Sequence, residues 1–299
     1  MTRRPRIDVQ SLEGGWPAPW GSVAELADAL PTGSWTLVGG LMTQLHCVHY
    51  GIDAVRPTND IDIVLHVETA RGVPSAVADS LETLGYRFAP SIDSRKGTAH
   101  RFVRDQTAID VVASSPVQVD ILVADHAAPR VVEKMRGYEM VKIEGGTQAL
   151  RRTVNAMIEV GGRSASISVP GPFGALILKA AAYQSDTRNP ERHLFDAAAL
   201  LACVEDPVSE IQNFSGSDRS RVQSLVRALP VRHRIWRSLP LGARTDAQRT
   251  LLILADGYRA PLVTAPRVGR IARRGKTTPG STAGSFAPVV RDEPNAGLE

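Results

Sequence analysis

TLVGGLMTQLHCVHYGIDAVRPTNDIDIVL, Thr36 to Leu65, decides how this chain is read. An apolar strand leads through the Gly39-Gly40 pair into a helical segment, and the stretch ends in two aspartates alternating with isoleucines. Strand alternation predicts that Asp60 and Asp62 share one face. Carboxylates so placed repel and raise each other's pKa unless a cation or a donor compensates. Mg2+ is the expected compensator, being a hard ion that takes oxygen ligands and keeps room for water and phosphate. For an isolated D-x-D, a solvated strand edge is the plainer alternative. This pair has company in Arg56 and Thr58 just upstream and in the diglycine, which leaves no Cβ between backbone and ligand. The helix behind it offers free N–H groups to a phosphate, although a simple strand-to-helix turn also uses Gly.

A third carboxylate is expected from a neighbouring strand. VQVDILVAD supplies Asp120 between Val119 and Ile121, and TAIDVV supplies a rival, Asp110, with the same apolar flanks. Asp120 is preferred because its alternation runs longer and ends in the loop-like ADHAAP.

Gly39-Gly40, the R-x-T-x-D-x-D run from Arg56 to Asp62, and Asp120 together resemble the DNA polymerase β-type nucleotidyltransferase superfamily, and within it the AbiEii toxin-like branch. The long helical insert LMTQLHCVHYGIDAV before the first aspartate fits that branch. The resemblance covers roughly residues 20 to 205. It implies an α+β fold: a polymerase β-like domain with a mixed sheet, followed by a helical domain, with the active site in the cleft between them. It also implies that Asp60, Asp62 and Asp120 hold two Mg2+ ions and that Asp120 assists the attacking hydroxyl. Gly39, Gly40, Arg56 and Thr58 would bind the nucleotide. The implied substrate is an NTP and the implied acceptor an RNA 3′ end, tRNA first among them, with a cognate antitoxin as a possible partner. A small-molecule acceptor, a protein hydroxyl, or a non-catalytic module with a relict site are the competing readings.

In FGALILKAAAYQSDTRNPERHLFDAAALLA, apolar residues recur at helical spacing on both sides of a polar break at Ser185 to Glu191. Lys179 lies in an Ala-rich apolar stretch, where a lysine must snorkel to water or find an anion. The family resemblance implies that Lys179 and Asp196, on successive helices, point into the cleft, with Lys179 on nucleotide phosphates. Asp196 would orient that lysine or pair with Arg188 or His193. The alternative is a buried structural ion pair between two helices. Arg188 and Arg192 read as solvated loop arginines.

The chain has 299 residues, 43% of them hydrophobic, enough for a sizeable core and suggestive of two domains. Cys47 and Cys203 are far apart in sequence and support neither a disulfide framework nor a Cys-based zinc site. His46 and His49 share a helix face, but without further ligands an ordinary amphipathic helix is the better reading. MTRRPRIDVQSLEGG is basic without an apolar core, so it is no secretory signal. No segment approaches the ~20 apolar residues of a membrane span, and a cytoplasmic protein is expected.

The expected organisation is an N-terminal extension over 1–20, a nucleotidyltransferase domain over 21–145, a helical domain over 146–264, and a disordered basic tail over 265–299. Ser22 to Leu30 reads as a capped helix, and ARGVPSAVADSLETLGY as a crossover helix ending at Gly85. HRFVR, TAIDVV and VQVDILV read as strands, and after VKIEGG the pattern turns helical. Arg219, Arg221, Arg227, Arg232, Arg234 and Arg237 suggest a basic face in the second half. From about Ala265 periodicity is lost. The tail carries Arg267, Arg270, Arg273, Arg274 and Lys276, which with a net charge of +4 would attract nucleic-acid phosphates in a salt-dependent way. Aromatic residues make up only 5% of the chain, so no stacking platform for single strands is evident.

Overall fold

A computed structural model of the chain describes residues 4–31, 33–54, 56–69, 71–90, 100–105, 116–126 and 134–256. Asp110 and the basic tail lie outside the described residues. The elements in chain order are β1 (Arg6–Asp8), α1 (Trp20–Ala29), β2 (Trp35–Val38), α2 (Gly39–His49), β3 (Asp60–Leu65), α3 (Val73–Thr83), β4 (Arg87–Ala89), β5 (Arg101–Arg104) and β6 (Val117–Ala124). They continue with β7 (Val141–Ile143), α4 (Gly146–Leu150), β8 (Thr153–Val160), β9 (Arg163–Pro170), α5 (Pro172–Ser185), α6 (Glu191–Cys203), α7 (Pro207–Gln212), α8 (Asp218–Ala228) and α9 (Leu241–Asp256). Among the described residues the fold is α+β with two sheets.

The larger sheet is mixed and runs β2-β3-β6-β5-β4, with β7 also on β6. β3 pairs antiparallel with β2 and parallel with β6. Its two faces go to different cores. Ile61, Ile63 and Leu65 join Val119, Ile121 and Val123 of β6 in a cluster that includes α1, α3 and the smaller sheet. On the opposite face Asp60 and Asp62 come first, and Val64 then enters a second cluster built by α2, α5, α6, α8 and α9. Ile61, Ile63, Val64 and Leu65 are fully buried. Each contributes roughly 1.5–3 kcal/mol, enough together to hold two like charges on the strand.

The structure departs from sequence expectation in three places. Residues 153–170 form a β-hairpin, where a turn to helix was expected after VKIEGG. Two alternating runs, TVNAMIEV and RSASISVP, flank Gly161-Gly162, whose φ angles of 57° and 77° are what a two-residue hairpin turn requires. β1 adds to β8 in parallel, so part of the expected N-terminal extension is a sheet strand. Ser22 is no cap: α1 begins at Trp20, with Pro19 ahead of it and no side-chain cap bond. No described helix is long and apolar enough to cross a membrane.

Candidate active site

A single line of residues crosses four strands at the end of β2. Val38 is the register partner of Asp62, Asp62 of Asp120, and Asp120 of Arg101. Paired residues of neighbouring strands face the same side, so the topology brings Asp60, Asp62 and Asp120 to one surface of the sheet. The surface forms part of a cavity of about 500 Å3, also lined by Gly39, Gly40, Arg56, Thr58, Lys179 and Arg192.

Gly39 and Gly40 are there for the sake of their neighbours. Gly39 has φ +71°, and a Cβ placed on it would stand 1.8 Å from Asp62 Oδ2. A Cβ on Gly40 would meet Thr58 Cγ2 at 2.8 Å and Arg56 Nη2 at 3.3 Å. α2 starts at this point, and the first N–H groups of a helix have no intrahelical acceptor. Thr58 Oγ1 accepts from the Asp60 backbone N–H at 3.4 Å, and Gln44 Nε2 holds the Arg56 carbonyl at 2.9 Å.

The three carboxylates are in unequal situations. Among the described residues no hydrogen bond is made to the Asp60 or Asp62 side chain. Burial pushes the Asp62 carboxyl up to about 6, Asp120 and Asp60 add to the rise, and Lys179 and Arg192 oppose it. Asp120 is fully engaged: Arg101 Nε and Nη2 each donate to it at 3.0 Å, Gln118 Nε2 donates at 3.2 Å, and His100 Nε2 stands 3.7 Å away. Among the described residues no three His, Cys, Asp or Glu side chains form a ready-made metal cage. Two carboxylates without a hydrogen-bond donor, one of them raised in pKa by burial and then by its like-charged neighbours, nevertheless suit a hard divalent cation that fills its shell with water and phosphate oxygens.

Lys179 and Asp196 meet between α5 and α6, Nζ to Oδ2 at 2.6 Å, with side-chain exposures of only 6% and 3%. Arg56 closes on the same carboxylate at 3.4 Å. Asp196 therefore joins two cavity-lining cations, and neither Arg188 nor His193 is its partner. Those residues go to Asp186, which accepts from the backbone N–H groups of Arg188 and Asn189 at 2.8 and 3.2 Å and from the Arg192 and His193 side chains at 3.0 Å each. Arg192 thus lines the cavity and pairs with Asp186 from the first turn of α6, its side chain still 45% exposed.

Sequence reasoning also missed Arg101, Lys142, Glu144 and Asp186, all on the cavity wall. Arg101 carries no local signal, because only the β5–β6 register places it beside Asp120. The HCVH segment holds no metal pair. His46 is buried with Nε2 2.7 Å from the Pro170 carbonyl, burial lowering its pKa to about 4, while His49 packs edge-on against Tyr50. α2 is not an ordinary amphipathic helix, since every residue from Gly40 to Cys47 is buried.

No protein-family model matches the chain, and no curated protein matches it. A solved structure with some likeness is that of an antigenic nucleotidyltransferase-like protein from Paracoccidioides brasiliensis, with TM-score 0.47 and 15% identity over 77% of this chain and 91% of that one. Likeness of that order leaves the function to be argued from the carboxylates.

Proposed function

We propose that the chain is an Mg2+-dependent nucleotidyltransferase that moves a nucleotide from an NTP to an RNA 3′ end, with tRNA as the acceptor, in the manner of the AbiEii toxin-like branch and with a cognate antitoxin. The reading is carried by Asp62 and Asp120 standing as register partners, with no hydrogen bond to the Asp60 or Asp62 side chain among the described residues. Asp60, Asp62 and Asp120 would hold the cations, which when bound neutralise phosphate charge and support both the attacking and the leaving oxygen.

The chain's own residues do the rest by positioning. N–H groups at the start of α2 receive phosphate oxygens, and the absence of side chains at Gly39 and Gly40 lets a ligand approach the backbone. Arg56 and Lys179 present positive charge to the same phosphates, held in place by Asp196. Asp120 accepts the proton of the attacking hydroxyl. A cavity of about 500 Å3 falls in the range of small-ligand sites, so it suits one nucleotide and leaves a polymeric acceptor to enter by its end.

The test is transfer of label from each of the four NTPs into total RNA. Wild type is expected to label a tRNA-sized species with one NTP, Asp60→Asn and Asp62→Asn to label none, Asp120→Ala to be as damaging as that first pair, and Asp110→Ala to be mild. Full activity in Asp62→Asn would remove the metal assignment. Metal-dependent nucleotide turnover without any RNA labelling would shift the acceptor to a small molecule or a protein.

A further inference from the structure

The Arg101–Asp120 pair suggests a residue role beyond the three carboxylates. Asp60, Asp62 and Asp120 gather three negative charges on one sheet surface, and three of the cavity's other cations are committed elsewhere. Lys179 and Arg56 are on Asp196, and Arg192 is on Asp186. Among the described residues, Arg101 is the one arginine or lysine paired with any of the three, with both arms of its guanidinium at 3.0 Å, while His100 Nε2 stands farther off at 3.7 Å from Asp120. That fork matches a carboxylate bidentately and covers the two oxygens that a metal ion would need. The Arg101 side chain is 43% exposed, so nothing packs it immovably into place.

We infer that Arg101 is a positioning residue that serves as a built-in stand-in cation: it neutralises Asp120 in the metal-free protein and competes with the divalent ion for the same carboxylate. The inference rests on the metal reading above. Arg101 keeps three carboxylates from unfolding the site when no metal is present, and in doing so it weakens metal binding. Metal affinity in this chain is thereby set by an arginine on the neighbouring strand as well as by the ligands.

The test uses the full chain and Mn2+ alone, with affinity read by calorimetry and melting temperature read with and without the ion. Arg101→Gln is expected to melt lower than wild type in chelator, to bind Mn2+ about tenfold more tightly, the size of an interaction worth one pKa unit, and to gain more in melting temperature on Mn2+ addition. Arg101→Lys, which keeps the charge and loses the fork, should fall between the two and serves if the Gln variant does not fold without metal. In an Asp120→Asn background, Arg101→Gln should lose most of its effect on Mn2+ affinity. Wild type binding Mn2+ with the Arg101 variants unchanged or weaker would overturn this inference while leaving the metal reading in place. No Mn2+ binding by any of the proteins would overturn both.

Discussion

The carboxylate of Asp62 occupies the space that a side chain on residue 39 would need. A Cβ on Gly39 would sit 1.8 Å from Asp62 Oδ2 and 2.8 Å from Asp62 Cβ, and the residue is held at φ +71°. The diglycine and the D-x-D motif, twenty residues apart in sequence, are thus one structural unit: the glycine is absent a side chain because the acid is present.

Gly39→Ala is therefore expected to cost stability twice, through about 1–2 kcal/mol for the left-handed backbone and through the overlap with Asp62. Denaturant melts of a double-mutant cycle separate the two. In an Asp62→Gly background the cost of Gly39→Ala should shrink toward the backbone contribution alone. An unchanged cost would show that Asp62 moves aside freely and that the contact does not shape the site.

Asp62 should also leave a mark on pH dependence. Its carboxyl is raised from 3.8 to about 6 by burial, Asp120 and Asp60. An acid raised on folding stabilises the fold below its unfolded pKa, and that contribution is lost as the pH rises through the folded value. Metal-free wild type is thus expected to lose stability relative to Asp62→Asn between pH 3.8 and about 6 and to remain the less stable of the two at pH 8. The ceiling is about 3 kcal/mol, and water in the open cavity brings it nearer ~1–2 kcal/mol. Melting temperatures from pH 4 to 8 in chelator measure it, and added Mg2+ should reverse the order by binding only the wild-type fold. A less stable Asp62→Asn protein at pH 8 in chelator would contradict the electrostatic account.

What the sequence made legible is what repeats locally. The period of two put Asp60 and Asp62 on one face, and the longer alternation around Asp120 identified its strand. Helical spacing located α5 and α6, whereas the convergence of Lys179 and Asp196 was implied by the family resemblance. Arg101 was invisible because strand register is a property of two distant segments, and Arg192 because a carboxylate six residues earlier, across the turn into α6, pairs with what looks like a free arginine. The β8–β9 hairpin is a different case. Its signal, Gly161-Gly162 between alternating runs, is weak beside the strong helical pattern that follows. β1, three residues long, is specified by the edge of β8 rather than by its own composition.

Lys179 both pairs with Asp196 and lines the cavity, so its removal bears on stability and on the proposed phosphate contact alike. Its ammonium is 2.6 Å from Asp196 in a nearly closed environment, and the same side chain lines the cavity. Breaking a buried ion pair costs ~3–5 kcal/mol when one charge is left uncompensated. Here Arg56 remains at 3.4 Å from Asp196, so Lys179→Met should cost less, about 1–3 kcal/mol, and should also weaken NTP binding. The double variant Lys179→Met/Asp196→Leu removes the stranded charge and is expected to recover most of the melting temperature without recovering nucleotide affinity. Titration of NTP against the single and double variants, alongside their melts, distinguishes the roles. If nucleotide affinity returns together with stability, Lys179 only braces α5 against α6, and the phosphates must be held by Arg56 and the start of α2.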